Sequence, residues 1–169
     1  PLLGLKAYPL DDLWNRMLKR LFDGAVALTL LVAGSPVFIL IALAIRGCGR
    51  GPILYKQERV GQDERCFYLY KFRTMAAGAE RETGPVWAKQ EDERVTKVGR
   101  WLRRFNLDEL PQLWNVIIGD MSLVGPRPER PHFVEKFREQ IPRYMARHKI
   151  KSGLTGWAQI HGLRGNTSL

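Results

Sequence analysis

The sequence predicts an α+β fold that is mainly helical and has a membrane helix near its N-terminal end. Three features support this prediction: an uncharged apolar run at residues 24–45, two aromatic and β-branched segments around a turn, and short stretches with helical periodicity. The chain has 169 residues, 45% of them hydrophobic, which is enough for one core and argues against disorder. We therefore expect one domain.

The N-terminal segment divides into a linker and the start of a helix. The chain begins at Pro1 rather than Met, so residues 1–11 are predicted to be a linker from a missing N-terminal region. Asp11 or Asp12 is expected to cap the first helix. The apolar residues that share one face of this helix are Leu13, Met17, Leu18, Leu21 and Phe22.

The uncharged run at residues 24–45 is long enough for a membrane helix, because the hydrocarbon core of a bilayer requires about 20 apolar residues. Ser35 and Pro36 lie at its middle, where proline removes a backbone hydrogen bond and clashes with the preceding turn. Basic residues flank both ends: Lys19, Arg20, Arg46, Arg50 and Lys56. Since lysine and arginine prefer the cytoplasmic side, we expect a re-entrant helix that is broken at Ser35-Pro36 and returns to the same face. A kinked helix that spans the membrane is the alternative.

A β-hairpin is predicted after the membrane segment. Residues 53–60 and 66–73 are rich in aromatic and β-branched side chains and flank a turn that begins at Gly61. Lys71 and Arg73 share one face of the second strand, where they either form a solvated edge or point into a polar site. Residues 74–89 are expected to form a mobile loop, and residues 91–105 a helix with an apolar stripe.

Two adjacent carboxylates, Asp108 and Glu109, lie where the next helix is expected to begin. Asn106 and Glu109 have the spacing of a capping box, and Pro111 suits the first turn of a helix. The acids would then lie at the positive end of a helix dipole, which also attracts phosphate. Three arginines that match phosphate oxygens precede them: Arg100, Arg103 and Arg104. This pattern favours phosphate chemistry with a metal, and a capped surface helix with solvated arginines is the alternative.

The C-terminal part begins with a rigid turn, Gly125-Pro126-Arg127-Pro128. Its prolines limit the backbone around Arg127, which suits the binding of a ligand better than the stability of a fold. Beyond Pro131, the side chains of Phe133, Phe137 and Ile141 lie on one face. They predict an amphipathic basic helix that packs on the core or lies on an anionic membrane. Residues 149–165 contain many glycines and are expected to form a structured loop.

The formal net charge of +10 indicates an anionic partner, either nucleic acid, anionic lipid or a polyanionic small molecule. Cys48 and Cys66 lie in no metal or redox spacing and the three histidines are scattered, so we expect no zinc site and a reducing setting that faces the cytoplasm. Two alternatives to an enzyme remain, a nucleic-acid-binding module and a non-catalytic assembly subunit, both anchored to the membrane. The first predicts binding of DNA or RNA that depends steeply on salt.

Several motifs follow one another from about residue 15 onward: Ser35-Pro36, Gln57-Glu-Arg-Val-Gly61, Tyr70-Lys-Phe-Arg-Thr-Met75, Leu107-Asp-Glu-Leu-Pro-Gln112, Gly119-Asp-Met-Ser-Leu-Val-Gly-Pro-Arg-Pro128 and Gly153-Leu-Thr-Gly-Trp-Ala-Gln159. In this order they resemble the bacterial sugar transferases, which are monotopic polyprenyl-phosphate phosphoglycosyl transferases. Both ends of the chain look like the long form of that family, which has further transmembrane helices and a domain N-terminal to this region. Ser152 and His161 depart from the family pattern, which usually has proline and asparagine there.

The resemblance implies transfer of a hexose 1-phosphate from a UDP-sugar to undecaprenyl phosphate, with release of UMP. UDP-glucose or UDP-galactose is favoured. The reaction would begin exopolysaccharide, O-antigen or capsule assembly, with the protein monotopic at the cytoplasmic face of the bacterial inner membrane. Expected partners are the UDP-sugar, undecaprenyl phosphate and an anionic phospholipid bilayer, with a homodimer left open and no nucleic acid.

Residue roles are implied by the same resemblance. Asp108 would be the nucleophile that carries the phosphosugar, and Glu109, with Asp108, would hold Mg²⁺. Because neighbouring residues on a helix point about 100° apart, a division of labour between the two acids is expected. Substrate binding would fall to Lys71, Arg73, Arg103, Pro126, Arg127, Pro128 and Arg147, with Arg127 at the uridine nucleotide. The expected domains are the linker at 1–11, the membrane helix at 12–47 and a catalytic domain at 48–169 that is incomplete at its C-terminus.

Overall fold

A computed structural model describes residues 12–76, 78–79 and 92–163. Asp11, Glu91, the predicted linker, residues 164–165 of the predicted tail loop and most of the predicted mobile loop lie outside the described residues. The helices are α1 (Leu13–Ala33), α2 (Ser35–Gly47), α3 (Lys97–Arg104), α4 (Gln112–Ile118), α5 (Pro131–Gln140) and α6 (Trp157–Ile160). The strands are β1 (Leu54–Val60), β2 (Cys66–Phe72), β3 (Ser122–Val124) and β4 (Gly153–Thr155). Helices combined with two small sheets confirm the α+β class.

The N-terminal helix starts and breaks where the sequence predicts. The Asp12 carboxylate accepts a hydrogen bond from the Trp14 amide at 2.8 Å and caps α1. Gly34 separates α1 from α2, Pro36 lies in the first turn of α2, and the two helices are bent by 61°. Among the described residues, neither helix alone has the length and composition for a membrane span, whereas the bent pair together does. The predicted break is confirmed, and the re-entrant topology stays a prediction.

Both helices of the pair pack on the rest of the chain. One apolar cluster joins Ala27 of α1 to residues of β2, α4 and the segment after α4: Leu69, Leu113, Val116 and Met121. A second cluster joins α2 to β2 and α3 through Ile41, Ile45, Phe72 and Leu102. Strand β2 therefore contributes to two clusters, one for each helix of the bent pair.

The predicted hairpin is confirmed. Strands β1 and β2 are antiparallel, with Leu54 opposite Phe72 at one end and Val60 opposite Cys66 at the other. Their connection is a 3₁₀ turn, Gln62–Glu64. On its outer edge, β2 is covered by Asn115 of α4, whose amide group donates to the Tyr68 carbonyl at 2.8 Å and accepts from the Tyr70 amide at 3.1 Å. Asn115 thus fixes α4 against the strand that carries Lys71.

Helix α3 is shorter than the predicted helix at residues 91–105. It begins at Lys97, because the Thr96 hydroxyl accepts a hydrogen bond from the Gly99 amide at 2.9 Å and caps the helix there. The apolar stripe of the predicted helix comprises Val95, Val98, Trp101 and Leu102. Leu102 is buried as expected, and so is Val95, although Val95 precedes the helix and pairs with Met75 in an isolated β-bridge. Trp101, also expected on that stripe, is 54% exposed.

The predicted capping box at Asn106 is wrong. Asn106 has a left-handed backbone (φ 56°) and its side chain makes no capping hydrogen bond, so the chain turns at this residue. Asp108 and Glu109 lie in a 3₁₀ turn, Leu107–Glu109, and α4 begins only at Gln112. The two acids therefore precede α4 and do not form its first turn.

The C-terminal part confirms the predicted basic helix as α5, in which Phe133 and Phe137 stack at 6.4 Å between ring centroids. The sequence did not predict the parallel pairing of β3 and β4, in which Ser122 lies opposite Gly153 and Val124 opposite Thr155. Strands of three residues are too short to show a hydrophobic period. Part of the predicted structured loop is thus a strand, β4, followed by helix α6.

A substitution at Gly153 should destabilise the fold. A Cβ atom there would lie 2.0 Å from the Gly125 amide nitrogen and 2.4 Å from the Thr155 carbonyl oxygen. We expect Gly153→Ala to lower the free energy of unfolding by about 2 kcal/mol, as overpacking does. Gly24→Ala is the control, since a Cβ at Gly24 meets no atom within 4 Å. Equal unfolding midpoints in urea for the two variants would contradict this packing.

Candidate active site

The acid pair lies between α3 and α4, beside β2, and is largely buried. Asp108 is 9% exposed and the Glu109 side chain 12%. Burial of two neighbouring carboxylates is unfavourable unless cations or hydrogen bonds compensate for the lost hydration. The surroundings of the two acids differ in this respect.

Glu109 is held by two cations from different parts of the chain. Lys71 Nζ, from β2, donates to Glu109 Oε1 at 2.8 Å. Arg127, from the turn after β3, donates through Nη2 to Oε1 at 2.6 Å and through Nη1 to Oε2 at 3.3 Å. Burial opposes ionisation of Glu109, but Lys71 and Arg127 outweigh it and lower its pKa from 4.5 to about 2. Glu109 is therefore a fixed negative charge.

Asp108 has the opposite balance. Burial raises its pKa, with a smaller contribution from the negative charge of Glu109, whereas Lys71 and Arg103 oppose the rise. The negative charge of Asp108 is thus less compensated than that of Glu109. A buried carboxylate with a perturbed pKa beside several cations is typical of a reactive site. This asymmetry agrees with the predicted division of labour, although the roles themselves stay predictions.

The backbone of the Pro126–Pro128 turn is fixed by hydrogen bonds from other parts of the chain. Four consecutive carbonyl groups, from Pro126 to Glu129, accept hydrogen bonds. Their donors are Gly153 N to Pro126 O (2.9 Å), Arg147 Nη2 to Arg127 O (2.7 Å), Arg59 Nη1 to Pro128 O (2.9 Å) and Val60 N to Glu129 O (2.9 Å). The backbone around Arg127 is fixed, as the sequence suggested, and its side chain is directed to Glu109.

The other predicted site residues fall into two groups. Arg103 lies close enough to Asp108 to affect its pKa and donates from Nε to Thr74 Oγ1 at 2.9 Å. Arg73 is not brought into this cluster, because its guanidinium donates to carbonyls at the end of α2 and in the following loop, those of Ile45, Gly49 and Arg50. Arg147 contacts the cluster only through the Arg127 carbonyl and also donates to the Tyr144 hydroxyl at 2.8 Å.

Two cavities are lined by residues close to the acid pair, although neither Asp108 nor Glu109 is part of their walls. A small one with cationic walls includes Lys71, Arg127 and Arg59. An apolar groove of about 660 Å³ runs between α2, the hairpin and the start of α4, and its walls include Phe38, Phe72 and Trp114. Fixed cations and an apolar groove that both lie near the acid pair can accept a molecule that has an anionic and an apolar part.

The chemistry of the acid pair fits Mg²⁺, which usually takes one or two carboxylates together with substrate phosphates and water. Asp108 and Glu109 are the available oxygen ligands. Within residues 12–76, 78–79 and 92–163, no group of three or more His, Cys, Asp or Glu side chains could form a complete metal site. A metal held here would therefore depend on the substrate for its other ligands.

The sequence also matches known proteins over nearly its whole length. A family described as "Bacterial sugar transferase" matches residues 14–169. The chain belongs to this family. The resemblance predicted from the motifs is therefore confirmed.

Relatives in the bacterial sugar transferase family carry names that agree on the acceptor and differ in the sugar. UDP-glucose:undecaprenyl-phosphate glucose-1-phosphate transferase of Escherichia coli (strain K12) is 47% identical over 99% of this chain and 36% of that protein. Undecaprenyl-phosphate glucose phosphotransferase of Komagataeibacter xylinus is 44% identical over 95% of this chain and 31% of that protein. UDP-N-acetylgalactosamine-undecaprenyl-phosphate N-acetylgalactosaminephosphotransferase of Aeromonas hydrophila is 44% identical over 86% of this chain and 34% of that protein. The chain spans about a third of the length of these relatives.

Sequence reasoning missed two residues of this bacterial sugar transferase that shape the site. Arg59 supports the turn behind Arg127, and burial lowers its pKa to about 10 despite the opposing charge of Glu129. Asn115, fully buried, fixes α4 to β2. Arg59 lies inside the Gln57-Gly61 motif, so the sequence did contain a signal that could have identified it as a site residue. Asn115 had none, because an asparagine in a helix is usually a surface residue.

Proposed function

We propose that the chain transfers a hexose 1-phosphate from a UDP-sugar to undecaprenyl phosphate and releases UMP. The observation that carries this proposal is the buried Asp108-Glu109 pair surrounded by Lys71, Arg103 and Arg127. A carboxylate that is under-compensated among fixed cations suits attack on a phosphate that itself needs cations. The names of the relatives supply the acceptor and donor classes.

In the proposed first step, an Asp108 carboxylate oxygen forms a bond to the phosphorus that carries the sugar. The bond from this phosphorus to the UMP oxygen breaks, and UMP leaves with the bonding electrons. In the second step, an oxygen of undecaprenyl phosphate attacks the same phosphorus, and Asp108 is returned as a carboxylate. Lys71 and Arg103 favour the ionised form of Asp108 before attack.

The cations around Glu109 would also bind the phosphate groups of the donor. Lys71 and Arg127 are paired with Glu109 and can transfer hydrogen bonds from its carboxylate to the phosphate oxygens of the donor. Glu109 and Asp108 would then hold Mg²⁺. When bound, Mg²⁺ neutralises charge on the diphosphate and makes its phosphorus easier to attack.

UDP-glucose or UDP-galactose is the favoured donor. Two of the relatives described above are named for glucose and one for N-acetylgalactosamine, at similar identities to this chain. The product would be undecaprenyl-diphosphate-sugar, which begins exopolysaccharide, O-antigen or capsule assembly.

The helix pair supports a monotopic topology at the cytoplasmic face of the inner membrane. At the start of the pair, Arg20 donates to the Val116 and Ile117 carbonyls of α4. At its end, Arg73 donates to the Gly49 and Arg50 carbonyls. Because both ends are attached to the same body, they lie on the same side of a bilayer unless that body crosses it. A re-entrant pair would present its apolar outer face to lipid and open the groove beside Phe38 to the prenyl chain.

Cysteine labelling tests this topology. With Cys48 and Cys66 replaced by serine, single cysteines at Trp14 and Lys56 should both resist a membrane-impermeant reagent added from the periplasm. Both should react after the membrane is permeabilised, since both ends of the pair would face the cytoplasm. Labelling of only one position from the periplasm would indicate a spanning helix. Pro36→Ala, which restores a backbone donor at the break, should shift the pair toward spanning.

Release of UMP tests the activity itself. The chain in detergent should release UMP from UDP-glucose when undecaprenyl phosphate and Mg²⁺ are present, and less from a poorly matched UDP-sugar. A panel that includes UDP-galactose and UDP-N-acetylgalactosamine identifies the sugar. Absence of UMP with every donor would contradict the proposed function.

A further inference from the structure

A polar cluster on the membrane helix has no part in the proposed chemistry. Asp23 of α1 is 4% exposed. Lys19 Nζ donates to both of its carboxylate oxygens, at 3.1 and 2.9 Å. Ser122, at the first position of β3, donates from Oγ to Asp23 Oδ2 at 2.7 Å and accepts from Lys19 Nζ at 2.6 Å. The three side chains form a Lys19–Asp23–Ser122 cluster between the membrane helix and β3, and the Val124 carbonyl, 3.1 Å from Ser122 Oγ, is the longer, alternative acceptor for the same hydroxyl.

This cluster adds little obvious stability. The attraction within a buried or half-buried ion pair does little more than offset the hydration free energy that the two charges lose. Apolar residues of similar size often give a protein that is equally stable. The apolar contacts of Ala27 with β2 and α4 already attach α1 to the body. Arg20 also fixes α1 against α4 through the Val116 and Ile117 carbonyls, and the cluster adds hydrogen bonds that fix α1 against β3.

Strand β3 connects this cluster directly to the Arg127 turn. Ser122 begins the strand, Val124 ends it, and the turn follows at once. Opposite the strand, β4 holds the same segment at both ends, through Ser122 N to Ser152 O at 2.8 Å and Gly125 N to Thr155 O at 2.9 Å. These hydrogen bonds join β3, the turn and β4 into one unit, so a displacement of Ser122 relative to α1 would displace this unit, and with it the Arg127 guanidinium that binds Glu109.

We infer that Asp23 and Ser122 are positioning residues that set the place of Arg127 in the active site through β3. They touch neither acid, and they make the geometry at Glu109 depend on how the membrane helix is docked. This inference rests on the proposed function only in its kinetic test, because the position of the turn can be measured without turnover.

The kinetic test uses Ser122→Ala in the full chain. We expect the apparent KM for the UDP-sugar to rise about fivefold, the factor that one hydrogen bond contributes, with the KM for undecaprenyl phosphate unchanged. In an Arg127→Ala background the same substitution should change the KM by less than about twofold, because residues that act through one another are not additive. Asp23→Asn should act in the same direction. Equal effects of Ser122→Ala in both backgrounds would overturn the inference.

A matched control and a second measurement separate this inference from the proposed function. Thr29→Ala removes a hydroxyl of α1 itself, which donates to the Ala25 carbonyl of the same helix. Hydrogen exchange of the peptide with Gly125 and Arg127 should be faster in Ser122→Ala than in Thr29→Ala, even if no UDP-sugar is turned over. Identical exchange in the two variants would overturn the positioning role, whereas inactivity of the wild type would contradict only the proposed function.

Discussion

Replacement of Asp108 by asparagine should reduce turnover by roughly 10⁴-fold or more, the loss expected when a nucleophile is removed. Asparagine has nearly the same shape as aspartate and is a far weaker nucleophile, so the site should keep its structure. Turnover is measured as release of UMP from the best donor with undecaprenyl phosphate present. Both half-reactions should be lost together, because the bond between Asp108 and phosphorus forms in the first and breaks in the second.

The fold provides a control for this variant. Burial raises the pKa of Asp108, so its charged form is unfavourable in the folded protein, and a neutral amide at this position should not lower the melting temperature. Loss of turnover without loss of stability would identify a chemical role. A fully active Asp108→Asn protein would restrict the acid pair to binding metal.

Replacement of Glu109 by glutamine should instead destabilise the protein. It would remove the carboxylate that Lys71 and Arg127 both bind, and removal of one partner of a buried ion pair costs about 3 kcal/mol. For a chain of this size we expect the melting temperature to fall by roughly 6 to 12 °C. Activity should also fall, with a higher Mg²⁺ requirement and slowing of both half-reactions. Calorimetry and a Mg²⁺ titration measure the two effects.

The stability effect has a defined dependence on pH. The pKa of Glu109 is lowered from 4.5 to about 2, so its stabilising contribution is present above pH 4.5 and is lost as the pH falls toward about 2. The difference in stability between wild type and Glu109→Gln should shrink over this interval. Glu135→Gln is the matched control, because Glu135 is exposed on α5 and the same substitution there should change the melting temperature little. An equally stable Glu109→Gln protein would contradict the ion-pair geometry.

Local signals in the sequence predicted much of the fold. Asp12 caps α1, the chain breaks at Gly34 just before Ser35-Pro36, and the two strands of the hairpin lie at the expected residues. These features depend on neighbouring residues: a capping side chain, a proline, and alternating side chains on either side of a turn. The acid pair and the rigid turn were found for the same reason.

Contacts between distant residues could not be predicted from such signals. Lys71 and Arg73 were predicted to share one face of the second strand. In the structure, Lys71 binds Glu109, whereas Arg73 binds carbonyl groups at the end of α2 and in the loop after it. The difference arises because Arg73 lies beyond the end of β2, where the chain approaches α2. The hydrogen bond from Arg147 to the Arg127 carbonyl likewise depends on tertiary structure and not on neighbouring residues. The capping box at Asn106 was predicted wrongly, because the spacing between Asn106 and Glu109 carries no information about the backbone conformation. Asparagine tolerates the left-handed conformation that Asn106 adopts.

Mass spectrometry of the protein with a UDP-sugar alone tests the covalent mechanism most directly. Without undecaprenyl phosphate, the second step cannot occur, so the phosphosugar should remain on Asp108. We expect the peptide that contains Asp108 to gain the mass of one sugar phosphate, in parallel with release of one UMP per active site. The adduct should be absent in Asp108→Asn and should disappear from the wild type when undecaprenyl phosphate is added. Sequential kinetics with no adduct in the lipid-free reaction would contradict a carboxylate nucleophile and leave direct attack by the lipid phosphate as the mechanism.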